Sequence, residues 1–161
     1  MTIVYSTNAG STERYAKMLS EKLSCPMVKL ADASGIGADE EVIYMSWIMS
    51  GSLTDYAKAK ELCKNIRAVC AVGMFSTEDK LQELIDKSGI EEEVFFLRGA
   101  FSMDKLSGMY KMMMGMALRM IKSKLKESDK PEAKQFADMI DDGIDFVNET
   151  ELEKVLQYLG V

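Results

Sequence analysis

The chain has 161 residues, a net charge of −6 and an apolar fraction of 47 %, enough for one domain with its own core. The acidic balance speaks against general nucleic-acid binding, which depends on neutralising phosphates with Lys and Arg, and the absence of His removes the usual imidazole base and the commonest transition-metal ligand, so no metal is expected. Cys25, Cys63 and Cys70 lack C-x-x-C spacing, which fits a reducing compartment, and there is neither a leader-like start nor an apolar run of ~18 residues, so a cytoplasmic protein without a membrane span is expected.

Ile3-Val4-Tyr5 is a β-branched and aromatic run with the character of a buried strand. Thr12 to Leu23 follows as an amphipathic helix with Tyr15, Ala16, Leu19 and Leu23 on one face. Cys25-Pro26 ends it, since proline disfavours helical geometry in the residue before it. Met27 to Leu30 is a second strand, Ala31 to Asp39 a loop with Gly35 and Gly37, and Val42 to Met45 a third strand. Ser46 to Thr54 reads as a loop and Asp55 to Asn65 as a helix with Tyr56, Ala59, Leu62 and Cys63 inward. Ala68 to Val72 is a wholly apolar fourth strand, Thr77 to Lys87 a helix with Thr77 and Asp79 as candidate caps, and Val94 to Leu97 the fifth strand. Continuous apolar strands separated by helices mean a parallel sheet covered on both faces.

Beyond the fifth strand, Ser107 to Lys126 reads as one long helix and Pro131 to Asp142 as another, stopped at Gly143. Ile144 to Val147 is extended. Asn148 then caps a last helix through Leu159, with Glu151 as its capping-box partner and Gly160 closing it. No repeat or low-complexity linker interrupts the chain. A single α/β domain over residues 1–161 is therefore expected, with an extra helical segment at about 102–142.

The first strand and first helix are joined by Ser6-Thr7-Asn8-Ala9-Gly10-Ser11-Thr12. Ligands of doubly wound sheets sit beyond the carboxyl ends of the strands. A helix N-terminus offers free N–H groups and partial positive charge, which suit a phosphate. Thr7, Ser11 and Thr12 add hydroxyl donors, and Gly10 removes the Cβ that would block backbone approach. The loop holds no Lys or Arg, so it is not a P-loop, and Gly35-Ile36-Gly37 lacks the third Gly and the strand context of a dinucleotide fingerprint. A neutral, hydroxyl-rich loop suits one monophosphate; the same residues would also serve as a plain helix cap.

The stretch Ile3 to Leu19 resembles the flavodoxin signature at every specified position: an aliphatic-aromatic strand end, a Ser or Thr, a small residue, a Thr, then Ala and an aliphatic residue on the helix. The element order agrees over roughly the first 100 residues. The resemblance implies a five-stranded parallel sheet of order 2-1-3-4-5 that binds FMN at its loops. It also implies that the flavin ring lies between the loops after the third and fourth strands. Here these are Ser46-Trp47-Ile48-Met49-Ser50-Gly51-Ser52 and Gly73-Met74-Phe75-Ser76-Thr77, each with one aromatic ring able to border a flavin or to pack on a helix. The expected cofactor contacts are thus Thr7, Asn8, Ala9, Gly10, Ser11 and Thr12 for the phosphate, with Ser46, Trp47, Ile48, Gly51, Gly73, Met74 and Phe75 at the ring. By analogy, Gly51 lets a backbone carbonyl turn toward a reduced flavin. Many flavodoxins carry a stacking Tyr in the second loop, and this chain does not.

Residues 98–126 contain seven basic side chains and one acid, Asp104, a local charge of +6 that leaves −12 for the rest. Lys111, Gly115, Arg119, Lys122 and Lys126 fall on one face of the predicted helix, and Met109, Met112, Met113, Met116 and Met120 on another. Such a helix can join the core through its Met face, pair two copies, grip a partner, border an apolar substrate, or lie on an anionic membrane as a peripheral contact. Its place after the fifth strand gives the chain a layout similar to the flavodoxin-domain family that includes menaquinone-dependent protoporphyrinogen dehydrogenase. That likeness implies an FMN-dependent oxidoreductase acting on a quinone, a porphyrinogen or a redox-protein partner. A simple one-electron-transfer flavodoxin is the alternative favoured by the acidic charge, and an interaction domain without flavin is a third. No residue stands out as a catalytic acid or base, and flavin chemistry requires none.

Overall fold

In the computed structural model, residues 1–74, 78–101, 108–127 and 143–161 are described, with the backbone alone at 110, 114, 117, 125 and 126. The helix expected over Pro131 to Asp142 and the cap expected at Thr77 lie outside the described residues. The chain forms two compact units, residues 1–99 with 147–161, and residues 100–146.

The first unit is built on parallel strands β1 (Thr2–Tyr5), β2 (Met27–Lys29), β3 (Glu41–Met49), β5 (Asn65–Gly73) and β6 (Glu93–Arg98). Their order is β2-β1-β3-β5-β6, the 2-1-3-4-5 arrangement once the short hairpin strand β4 (Ser52–Leu53) is set aside. Side chains alternate across the sheet. Val4, Val42, Tyr44, Val69 and Ala71 fall in one buried cluster with Tyr56 and Ala59 of α2 (Tyr56–Leu62) and Leu84 of α3 (Glu78–Ser88). Ile3, Ile43, Met45 and Cys70 are fully buried on the opposite face, where Tyr15, Ala16 and Leu19 of α1 (Ser11–Leu23) are also fully buried. This two-sided burial is why the strands read as continuous apolar runs.

Four expectations need correction. Leu30–Gly35 is a 3₁₀ turn with Leu30 and Ala33 buried, not an open loop. The second helix is shorter than Asp55 to Asn65, because Asn65 already pairs with Glu41 in the sheet. Ser46 to Thr54 is not a loop either. Ser46 and Trp47 continue the parallel ladder opposite Ala71 and Val72, then Ile48 and Met49 pair antiparallel with Leu53 and Ser52. Ser50 (φ 52°) and Gly51 (φ 74°) make a two-residue turn with both φ positive, the geometry that matches strand twist in tight hairpins. Finally, Glu151 does not close a capping box. Asn148 Oδ1 accepts from the Thr150 N–H at 2.9 Å and opens a 3₁₀ turn before α5 (Glu153–Leu159). Meanwhile Glu151 accepts from the Arg98 backbone N–H at 3.1 Å and from the Arg98 guanidinium at 2.6 and 2.8 Å.

In the second unit, β7 (Ala100–Phe101) pairs antiparallel with β8 (Ile144–Asp145), and α4 runs over Gly108–Lys126. Of the α4 side chains described, Met109, Met112, Met113, Met116, Met120 and Ile121 are exposed. The Met stripe therefore does not enter a core. No helix among the described residues is long and apolar enough to cross a membrane.

Candidate functional site

The carboxyl ends of β1, β3 and β5 share one edge of the parallel sheet. The turn after β1 is fixed there by local chemistry. The Ser6 N–H donates to the Met45 carbonyl at 3.0 Å, tying the end of β1 to β3. The Thr7 hydroxyl accepts from the Gly10 N–H at 3.1 Å, which closes the turn and leaves the hydroxyl proton to donate elsewhere. Gly10 adopts φ 88°, ψ −9°, a left-handed conformation that costs an L side chain about 1–2 kcal/mol. A Cβ added at Gly10 would meet nothing within 4 Å, so the space in front of the loop is open.

Helix α1 begins at Ser11, with Gly10 at its N-cap position. The Arg14 N–H reaches the Gly10 carbonyl, whereas first-turn N–H groups ahead of it have no partner inside the helix. Ser11 and Thr12 are buried, Ala9 is half-buried and Asn8 is exposed. The loop is a small cradle of amides and hydroxyls with the helix dipole behind it.

Of the expected ring-binding residues, those described lie at or next to the ends of β3 and β5. Ser46 is fully buried, and its hydroxyl donates to the Thr54 carbonyl at 2.8 Å, as does the Tyr44 hydroxyl. Trp47 is half-buried near the end of β3, and its carbonyl accepts from the Thr54 N–H. Ile48 packs over Gly73: a Cβ there would meet the Ile48 side chain at 3.0 Å and the Phe96 ring at 3.1 Å, so a side chain at position 73 would require these two neighbours to shift by a few tenths of an ångström. Gly51 lies at the hairpin tip, which is fastened by Lys87 Nζ donating to the Ser50 carbonyl at 2.6 Å and by the Leu53 N–H donating to the Ser88 hydroxyl at 2.9 Å. Met74 is half-buried just beyond β5, and Phe75 lies outside the described residues. A Cβ added at Gly99 would meet Val72 at 3.2 Å and the Ser11 Cβ at 3.7 Å, so the β1 turn also abuts the end of β5.

Sequence reasoning missed the cations. A cleft of about 230 Å³ at the end of β1 is lined by Ser6 and Thr7 together with Lys29, Asp55 and Lys58. The loop itself is neutral, but the fold brings two lysines beside it from β2 and α2. Asp55 accepts from the Ser6 hydroxyl at 2.7 Å and lies at the N-terminal end of α2 in a left-handed conformation. Nothing local to Lys29 or Lys58 marks either as a site residue; the pairing of β2 with β1 brings Lys29 there, and α2 brings Lys58. The Tyr5 hydroxyl, also on this cleft, donates to Glu13 at 2.7 Å. Burial first, and the Glu13 carboxylate second, push its pKa up to about 12, so it stays protonated at neutral pH. A second cleft of about 410 Å³, between Glu78, Phe95, Glu151 and Lys154, holds none of the expected site residues. Among the described residues no group of three or more Cys, Asp and Glu could hold a metal ion.

Residues 2–129 match the family described as Flavodoxin domain. Comparison with curated proteins and with solved structures gave no match.

Proposed function

The chain belongs to the flavodoxin-domain family, and from that premise we propose that it is an FMN-binding redox protein. In this reading it passes electrons between FMN and a quinone, a porphyrinogen or a redox-protein partner. The observation that carries the proposal is the turn Thr7 to Thr12, where a left-handed Gly10 with open space at its Cβ position and the Thr7 hydroxyl lie at the N-terminal end of α1. These groups fit a phosphate monoester better than a triphosphate, because the turn has no cation of its own and no P-loop lysine. Lys29, which also pairs with Glu13 at 3.8 Å, and Lys58 line the cleft beside Thr7 and add positive charge there.

Bound there, FMN supplies the one- or two-electron transfer, and the protein contributes position and electrostatics. The first-turn amides of α1 and the Thr7 hydroxyl hold the phosphate. Trp47 and Met74 border the ring and shield it from water on the β3 and β5 sides. The Ser50–Gly51 tip presents backbone groups whose orientation the Lys87 bond controls. No side chain here is needed to move a proton.

The test is a titration of the purified protein with FMN, FAD and riboflavin. FMN is expected to bind with a perturbed visible spectrum, at least tenfold more tightly than riboflavin. No flavin binding after reconstitution refutes the proposal. Stepwise reduction of the loaded protein then separates one-electron from two-electron transfer, and so a carrier from a reductase.

A further inference from the structure

The flavin reading leaves α4 without a role. Met109, Met112, Met113, Met116 and Met120 recur at the spacing of one helix face, and they are 46–69 % exposed. At 100° per residue, Arg119 borders this stripe on one side and Lys124 on the other, and both are exposed. Lys111 is exposed on the basic face next to Arg119. α4 contains five basic residues and no acidic one, whereas the chain outside residues 98–126 carries −12.

We propose that α4 is a peripheral membrane anchor, lying flat on an anionic lipid surface with the Met stripe turned into the acyl boundary. The charge pattern selects the lipid. A surface of one sign attracts the basic segment and repels the acidic remainder. The stripe selects depth. Unbranched Met side chains adapt to a fluid boundary, and the flanking Lys and Arg extend upward to headgroup phosphates. A protein groove would instead be read by a few bulky anchors, aromatic residues above all, and the stripe has none. α4 is about 28 Å long and too charged to span the bilayer, so lying in the interface is the arrangement open to it.

The experiment is co-sedimentation of the full chain with vesicles of phosphatidylcholine, alone or mixed with phosphatidylglycerol, together with sedimentation velocity in the absence of lipid. It reads protein mass and does not depend on whether flavin is bound. Two variants are compared, K111E/R119E/K124E and M112S/M116S; all five positions are exposed, so circular dichroism should match that of the parent chain. Binding is expected to the mixed vesicles only, and to fall at high salt. Charge reversal is expected to weaken it more than a hundredfold, at roughly fivefold per basic contact removed and more for each repulsion introduced. The Met variant is expected to lose at least tenfold. Equal binding to neutral vesicles, no binding, or unchanged binding by either variant overturns the proposal. So does self-association abolished by the same substitutions, which would assign the stripe to a second copy.

Discussion

Position 10 allows the phosphate site to be tested apart from the fold. Gly10 sits at φ 88° with open space where a Cβ would be, so substitution there is a conformational cost and not a clash. Gly10→Ala should destabilise the flavin-free protein by about 1–2 kcal/mol, a fall in Tm of roughly 2–8 °C for a chain of this size. Gly10→Asn should cost less, because Asn tolerates the left-handed region better than other side chains. Gly10→Asp matches Asn in shape and adds one negative charge. Two unit charges about 6 Å apart interact by about 3 kcal/mol at an effective dielectric of 20. Solvent at this half-exposed turn reduces that, so about 1.4 kcal/mol, or tenfold in Kd, is a conservative expectation for Asp relative to Asn. The assay is quenching of flavin fluorescence on binding, with FMN and riboflavin in parallel. The Asp–Asn difference should appear with FMN and vanish with riboflavin, which has no phosphate. Equal FMN affinity of the two variants would show that the turn caps a helix and holds no phosphate.

Further expectations follow from named contacts. Trp47 is the sole tryptophan, so its emission should fall in proportion to FMN occupancy, and Trp47→Phe should abolish the signal; emission unchanged at saturation would remove Trp47 from the flavin's surroundings. Burial pushes the Glu151 carboxyl up, but the Arg98 hydrogen bonds outweigh it and leave the pKa lowered. A carboxyl lowered in the folded state stabilises above its ordinary value of 4.5 and loses that contribution as pH falls below it. Glu151→Gln should therefore lower stability by about 1 kcal/mol or less at pH 7 and flatten the acid limb of a urea-denaturation series; an unchanged acid limb refutes this. Burial also drives the Cys70 thiol up to about 12, and Cys63 is buried as well, so at most Cys25 should react with a disulfide reagent at pH 8 before unfolding. Rapid titration of all three thiols in the native protein would contradict the core described above.

The parts of the molecule legible in the sequence were those set by local periodicity. Ile3 to Tyr5, Val42 to Met45 and Ala68 to Val72 announce buried strands because both faces of a parallel sheet are covered, and the Ser6 to Thr12 turn announces itself by what it lacks as much as by its hydroxyls. The spacing of Met109 to Met120 defined a helix face, but not whether that face would be buried. Only the tertiary structure decided the rest, because the deciding partners lie far along the chain. Trp47 belongs to a strand since β5 continues beside it as far as Gly73. Glu151 leaves its expected cap since Arg98, 53 residues away, offers it three donors. Lys29 and Lys58 join the cleft at Thr7 since β2 pairs with β1 and α2 returns beside them. The Met stripe stays exposed because periodicity states which residues share a face, while burial depends on whether another element arrives to cover it.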